Sequence, residues 1–301
     1  MAAPATTLPP ARAASGRRQS ALGRLVRRPA GLFGLTLVTC LVLIAVLAPY
    51  LAPYDAAAQN IPNRLQGPSS SHLLGTDSLG RDLLSRIMLG ARIELGVAIP
   101  GVCAALGIGL VLGLVSGYLG GWVDNATVVF LDTMQAFPSV ILALVLVAVL
   151  GPSRTNLVIV IAITFAPQAA RVTRASVFVL RQDPFIEAER ALGARSLRIL
   201  SGHILPNIIA PLFILLAMNI PSAITVEAGL SFLGMGVQPP TPSWGVILSE
   251  GFTNVYDAPW AVVWTGLALV VTTIGFTMLG ETLRDISDPR LAGAKGLRYD
   301  R

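Results

Sequence analysis

Charge is scarce in this chain. Asp, Glu, Lys and Arg supply 13% of its 301 residues, about half the share found in a soluble globular domain, so most of the sequence has no hydrophilic surface to offer. Lysine is nearly missing: Lys295 stands alone against 21 arginines. The two cysteines, Cys40 and Cys103, fall inside apolar runs and provide neither a disulfide framework nor metal-ligand spacing. The two histidines, His72 and His203, lie outside those runs. An intramembrane hydrolase built on Gly229-Leu230-Ser231-Phe232 would therefore have no histidine base, and no His-Glu-x-x-His zinc site occurs. No Gly-x-x-x-x-Gly-Lys-Ser/Thr phosphate loop is present either. The expectation is a chain with no catalytic residue, no metal site and no bound cofactor of its own.

What fills the sequence is apolar. Hydrophobic residues make up 53% and the mean hydropathy is +0.70. Windows of about 20 apolar residues, enough to cross ~30 Å of hydrocarbon, occur six times: Gly31–Leu51, Ile93–Tyr118, Thr127–Leu150, Asn156–Val172, Asn207–Leu230 and Trp260–Leu283. The expected fold is an all-α integral membrane protein with six transmembrane helices. Of 22 basic residues, six precede Pro29, six lie between Arg171 and Arg198 and five follow Leu283. Six spans place these clusters on one side, which the positive-inside rule makes the cytoplasm. Both termini are expected there: 1–28 as a disordered basic tail, 286–301 as a second tail, with 29–92 forming the first span, an external loop and an interfacial helix, and 93–285 the core. The pI of about 10.0 thus serves topology and attraction to anionic lipid; no nucleic-acid module is visible.

One segment breaks the apolar pattern. Asp183 before Pro184 combines an N-cap with proline at the first helical position, where the missing N–H costs nothing. Phe185, Ala188 and Leu192 then recur on one helical face, and Gly193 can take the left-handed conformation that ends a helix. Ser196 can cap a second short helix with Leu197, Leu200 and Ile204 on one face, ending where Pro206 interrupts the hydrogen-bond ladder. A helix-turn-helix over 183–206 follows, too polar to cross a bilayer.

Within the spans, Gly101, Gly109, Gly113 and Gly117, with Ala105, repeat every four residues and wind as a shallow stripe along which helices can approach closely. The partner is either another span of this chain or a second subunit. Pro100, Pro138, Pro167, Pro211 and Pro221 free carbonyls that neighbouring helices or water must satisfy. Glu227 is the carboxylate late in the fifth span, and such groups are functional by default: it either lines a translocation path or pairs with an arginine such as Arg92.

The insert EAERALGARSLRILSGHILPN, Glu187 to Asn207, resembles the EAA loop of ABC importer permeases, with Glu187, Ala188, Gly193, Leu205 and Pro206 on its pattern. Glu189 departs from it, standing where alanine is usual, and His203 stands where isoleucine is common. GTDSLGRDLLSRIMLGARIEL (75–95), LSFLGMGVQPPTPSWG (230–245) and the closing Asp288-Pro289-Arg290-Leu291 are similar to the dipeptide/oligopeptide/nickel branch of the same family, in the same order. The resemblance is to its C-type permease. It implies the type I importer permease fold, two ABC ATPase subunits carrying ATP and Mg, a homologous B-type permease, an extracytoplasmic solute-binding protein, and a place in the bacterial inner membrane. Cargo stays open among dipeptide, oligopeptide, glutathione, nickel complex and haem. An ion-coupled secondary transporter is the rival, although no half of the chain repeats in the other.

Overall fold

The computed structural model describes residues 21–287, so the expected tails are covered only in part. Residues 1–20 and 288–301, including the Asp288–Leu291 motif, lie outside the described residues. Eleven helices are numbered α1 to α11 in chain order, and no strand occurs among the described residues. Residues 21–26, expected as part of the tail, form a short helix α1 (Ala21–Val26). It is held because Leu25 is buried and Arg24 donates to the Ile286 carbonyl at 3.3 Å.

The first span, α2 (Pro29–Leu51), starts at a proline that needs no partner for its nitrogen. The second, α3 (Leu83–Leu119), is a single helix of 37 residues, about 56 Å long at 1.5 Å per residue and so far longer than the hydrocarbon core. The interfacial helix expected over part of 75–95 is instead the first three turns of this span. Its residues Leu83, Ser85, Arg86, Ile87 and Ala91 are buried against the rest of the chain. Burial of Arg86 is possible because Asp77 and Glu250 both face it, with Arg86 Nη2 at 2.9 Å from Glu250 Oε2. Arg81 joins them, donating to Asp77 at 2.7 Å and to Glu250 at 2.7 Å. Arg81 and Arg86, two of the basic residues between the first and second apolar windows, are therefore neutralised by neighbouring carboxylates.

The third span is broken. α4 (Gly121–Gln135) and α5 (Ser139–Leu150) meet at 91°, because Pro138 disfavours helical backbone at Phe137. Among the described residues, five helices are long and apolar enough to cross a membrane, and the bent pair makes a sixth. α6 (Arg154–Leu180), capped by Ser153 accepting from the Asn156 N–H at 3.1 Å, runs longer than its apolar window. After the hairpin helices α7 (Pro184–Ala191) and α8 (Ser196–Ile199), a widened turn over Leu200–Ile204 leads directly into the fifth span, α9 (Leu205–Phe232). Pro206 thus does not stop the helix. It occupies the first turn of α9, and the turn of π type before it accommodates the lost bond. α10 (Trp244–Phe252) tucks back between spans, and α11 (Trp260–Ser287) closes the bundle.

α3 and α6 pack most intimately, along the glycine stripe. A Cβ added at Gly109 would stand 2.4 Å from Ala169 Cβ, and one at Gly113 2.5 Å from Thr173 Cβ. Gly101 faces Ile161 and Gly117 faces Val177. The stripe serves contact within this chain.

Candidate coupling hairpin and translocation face

The hairpin is set locally. The Asp183 carboxylate accepts the Phe185 N–H at 3.0 Å and Gly193 adopts φ +80°, the turn that the sequence requires of it. Ser196 is the first residue of α8; Arg195 holds the cap position, with no side-chain bond. The apolar face of α7 is rotated from expectation, whereas of the second expected face only Leu197 turns outward, Leu200 and Ile204 facing the core. Ile186, Ile199 and Ile204 turn inward to join Val177, Ile208 and Leu212 in a small core of their own, whereas Phe185, Ala188, Leu192 and Leu197 face outward. Leu192 is 87% exposed and Leu197 76%. Glu187 and Pro206 are exposed, and Leu205 is half-buried.

The two departures from the EAA pattern meet. Glu189 Oε1 lies 2.8 Å from His203 Nε2, bridging α7 to the widened turn, and the Phe185 ring stands edge-on to His203 at 5.1 Å. At the base, the Arg190 guanidinium lies over the Tyr118 ring at 4.9 Å and Arg181 donates to the Gly117 carbonyl at 3.0 Å. The hairpin is thus bound to the end of α3 as a packed unit, presenting an apolar, basic-rimmed tip. Beside it is a hollow of about 440 Å³ lined by Glu189, Leu192, Gly193, Ala194, Arg195 and Arg198.

A second feature lies at the break between α4 and α5. A cleft of about 540 Å³ opens there against α6 and α9. Gln135, Ser139, Thr164, Gln168 and Ser222 supply its polar lining, Phe137, Phe165 and Val226 its apolar one, and among the described residues no charged side chain lines it. The Thr164 hydroxyl is buried without a protein partner. Sequence reading passed over these residues because isolated amides and hydroxyls carry no periodic signal; Pro138 was the clue to the break, and the polar residues beside it become visible as a group only once the span bends.

Glu227 does not line this cleft and has no arginine partner among the described residues. It is fully buried, and Glu94 on α3 is its charged-group neighbour. Arg92 is exposed.

A bundle of five long helices and one broken one, joined to a projecting amphipathic hairpin and holding an uncharged polar cleft, is an architecture that suits a membrane permease. Residues 109–293 match the family described as binding-protein-dependent transport system inner membrane component, and residues 16–68 match the N-terminal transmembrane domain of oligopeptide transport permease C. The chain is 42% identical over 273 residues, 91% of its own length and 90% of the other, to the dipeptide transport system permease protein DppC of Alkalihalophilus pseudofirmus. It is 43% identical over 263 residues, 87% and 86% of the two chains, to the glutathione transport system permease protein GsiD of Pectobacterium atrosepticum. The chain belongs to this family: it is a multi-pass permease subunit of an ABC importer.

Proposed function

We propose that this chain imports peptides as the C-type half of a two-permease path, with a homologous B-type permease, two ABC ATPase subunits that hold ATP and Mg, and an extracytoplasmic binding protein that delivers cargo. Its termini and the 183–206 hairpin face the cytoplasm, in keeping with the arginine clusters. The observation that carries the reading is the hairpin itself: exposed leucines on a turn whose underside is a packed core, a lever stiff enough to transmit motion. Inverting a 1:99 ratio of two states takes about 5.5 kcal/mol of differential binding, which a loosely tethered loop does not deliver. Peptide cargo is supported by the relatives, whose names are those of dipeptide and glutathione permeases. The uncharged cleft agrees with it, since Gln135, Gln168 and Ser222 offer donors and acceptors for a peptide backbone without selecting side-chain charge.

The test is uptake and ATP hydrolysis by the reconstituted complex. Glu187→Lys with Gly193→Pro reverses charge on the docking helix and forbids the turn. The complex should assemble, yet lose import and cargo-stimulated hydrolysis; normal values for both would refute the coupling role. In the same assay Gln168→Glu should slow acidic peptides selectively, and equal slowing of acidic, neutral and basic peptides would remove the cleft from the path.

A further inference from the structure

Glu94 and Glu227 are, among the described residues, the two carboxyl side chains with no exposed surface at all, 0% each. One sits on α3 and the other on α9, two helices that pack together, and the two carboxyls are close charged-group neighbours. On each, one oxygen is already engaged. Glu94 Oε1 accepts the Trp244 backbone N–H at 3.0 Å, and Glu227 Oε1 accepts the Ser231 hydroxyl at 2.7 Å. The second oxygen of each is buried and meets no donor. Among the described residues no arginine compensates them: Arg86 and Arg81 belong to Asp77 and Glu250, Arg92 is exposed, and Arg154 turns toward the Gly96 carbonyl at 3.4 Å.

Two carboxylates deprived of water and of cations repel each other, and a buried acceptor with no donor is the costly case in hydrogen-bond energetics. A single proton resolves both. Held on one free oxygen, it supplies an O–H that donates to the other carboxylate and halves the buried charge.

The pair also marks where the external cap is fastened. The Val237 N–H donates to Ser231 Oγ at 3.1 Å, whose own hydroxyl reaches Glu227. Trp244 is held twice, by its backbone to Glu94 and by its indole N–H to the Ile87 carbonyl at 2.9 Å. We propose that Glu94 and Glu227 share one proton and act as positioning residues that pin the loop 233–243 and the start of α10 between α3 and α9. On the import reading above, this fixes the surface that an external binding protein would meet.

Infrared difference spectroscopy of the assembled transporter tests the proton, and its readout does not depend on transport activity. The native complex should show the C=O stretching band of a protonated carboxyl that is lost in both Glu94→Gln and Glu227→Gln. Each variant should assemble at native yield, because the amide N–H replaces the shared proton. Hydrogen exchange then tests the positioning: in Glu94→Ala and Glu227→Ala the backbone amides of Val237 and Trp244 should exchange at least about tenfold faster, as local opening becomes easier. A native complex without the band, or a band that survives in both glutamine variants, overturns the shared proton. Unchanged exchange at both amides overturns the positioning role. Should the alanine variants fail to assemble, the band in the glutamine variants decides.

Discussion

The four side chains Asp77, Arg81, Arg86 and Glu250 show how one residue's cost depends on its surroundings. Arg86 is 1% exposed and touches two carboxylates, so Arg86→Leu leaves Asp77 buried with half its compensation gone. That change should lower the stability of the complex by roughly 3–5 kcal/mol, the range for breaking one partner out of a buried pair. Arg171 also pairs with a carboxylate, Asp132, but the two side chains are 52% and 60% exposed, and Arg171→Ala should cost less than about 1 kcal/mol. Thermal unfolding of the two variants side by side checks the contrast; equal losses would mean that the buried network is not what holds the 77–86 segment to α10. At this scale the sequence was legible where causes are local. The Asp183 cap and the Gly193 turn depend on adjacent residues and stand where spacing placed them. Glu94 beside Glu227 and Glu250 beside Arg81 come from distant segments, and no spacing encodes them. The Glu189–His203 bridge lies between these cases: both residues were conspicuous as departures from a pattern, but only the folded hairpin brings one to the other.

For whole elements, apolar length was a sound guide to where spans lie and a poor one to where they bend or merge. The 75–95 segment reads as a separate interfacial helix, yet from Leu83 onward it is part of α3, with Asp77, Arg81 and Arg86 paired to one another and to Glu250. The third span breaks because Phe137 and Pro138 cannot continue the helix, while Pro167 and Pro221 remain inside unbroken ones. The glycine stripe has a sharper consequence. Gly113→Ala would push a methyl against Thr173 and the Ala170 carbonyl, 2.5 and 2.6 Å away, and should destabilise the α3–α6 contact by roughly 1–3 kcal/mol. Gly107→Ala has nothing within 4 Å of its new methyl and should stay within about 0.5 kcal/mol of the parent. Complex yield and melting temperature measure both, and a harmless Gly113→Ala would show that the two helices are not in the close contact described.

In the molecule as a whole, alternation of spans sets the 183–206 hairpin at the end where α2 begins and α11 ends, opposite the cap formed by α10 and its flanking loops. On the proposed topology that arrangement leaves the hairpin as the part of this chain open to a cytoplasmic ATPase, with Leu192, 87% exposed, at its tip. Cysteine placed at Leu192, in a chain whose Cys40 and Cys103 are replaced by alanine, measures this directly in membranes carrying the complete transporter. We predict a covalent cross-link from Cys at Leu192 to an ATPase subunit, with protection from impermeant thiol reagents in intact cells, while Cys at the fully exposed Tyr256 is labelled from outside and forms no such cross-link. Labelling of the Leu192 position from outside, or a complete transporter in which it cross-links to no ATPase subunit, would contradict the hairpin's role as the coupling element.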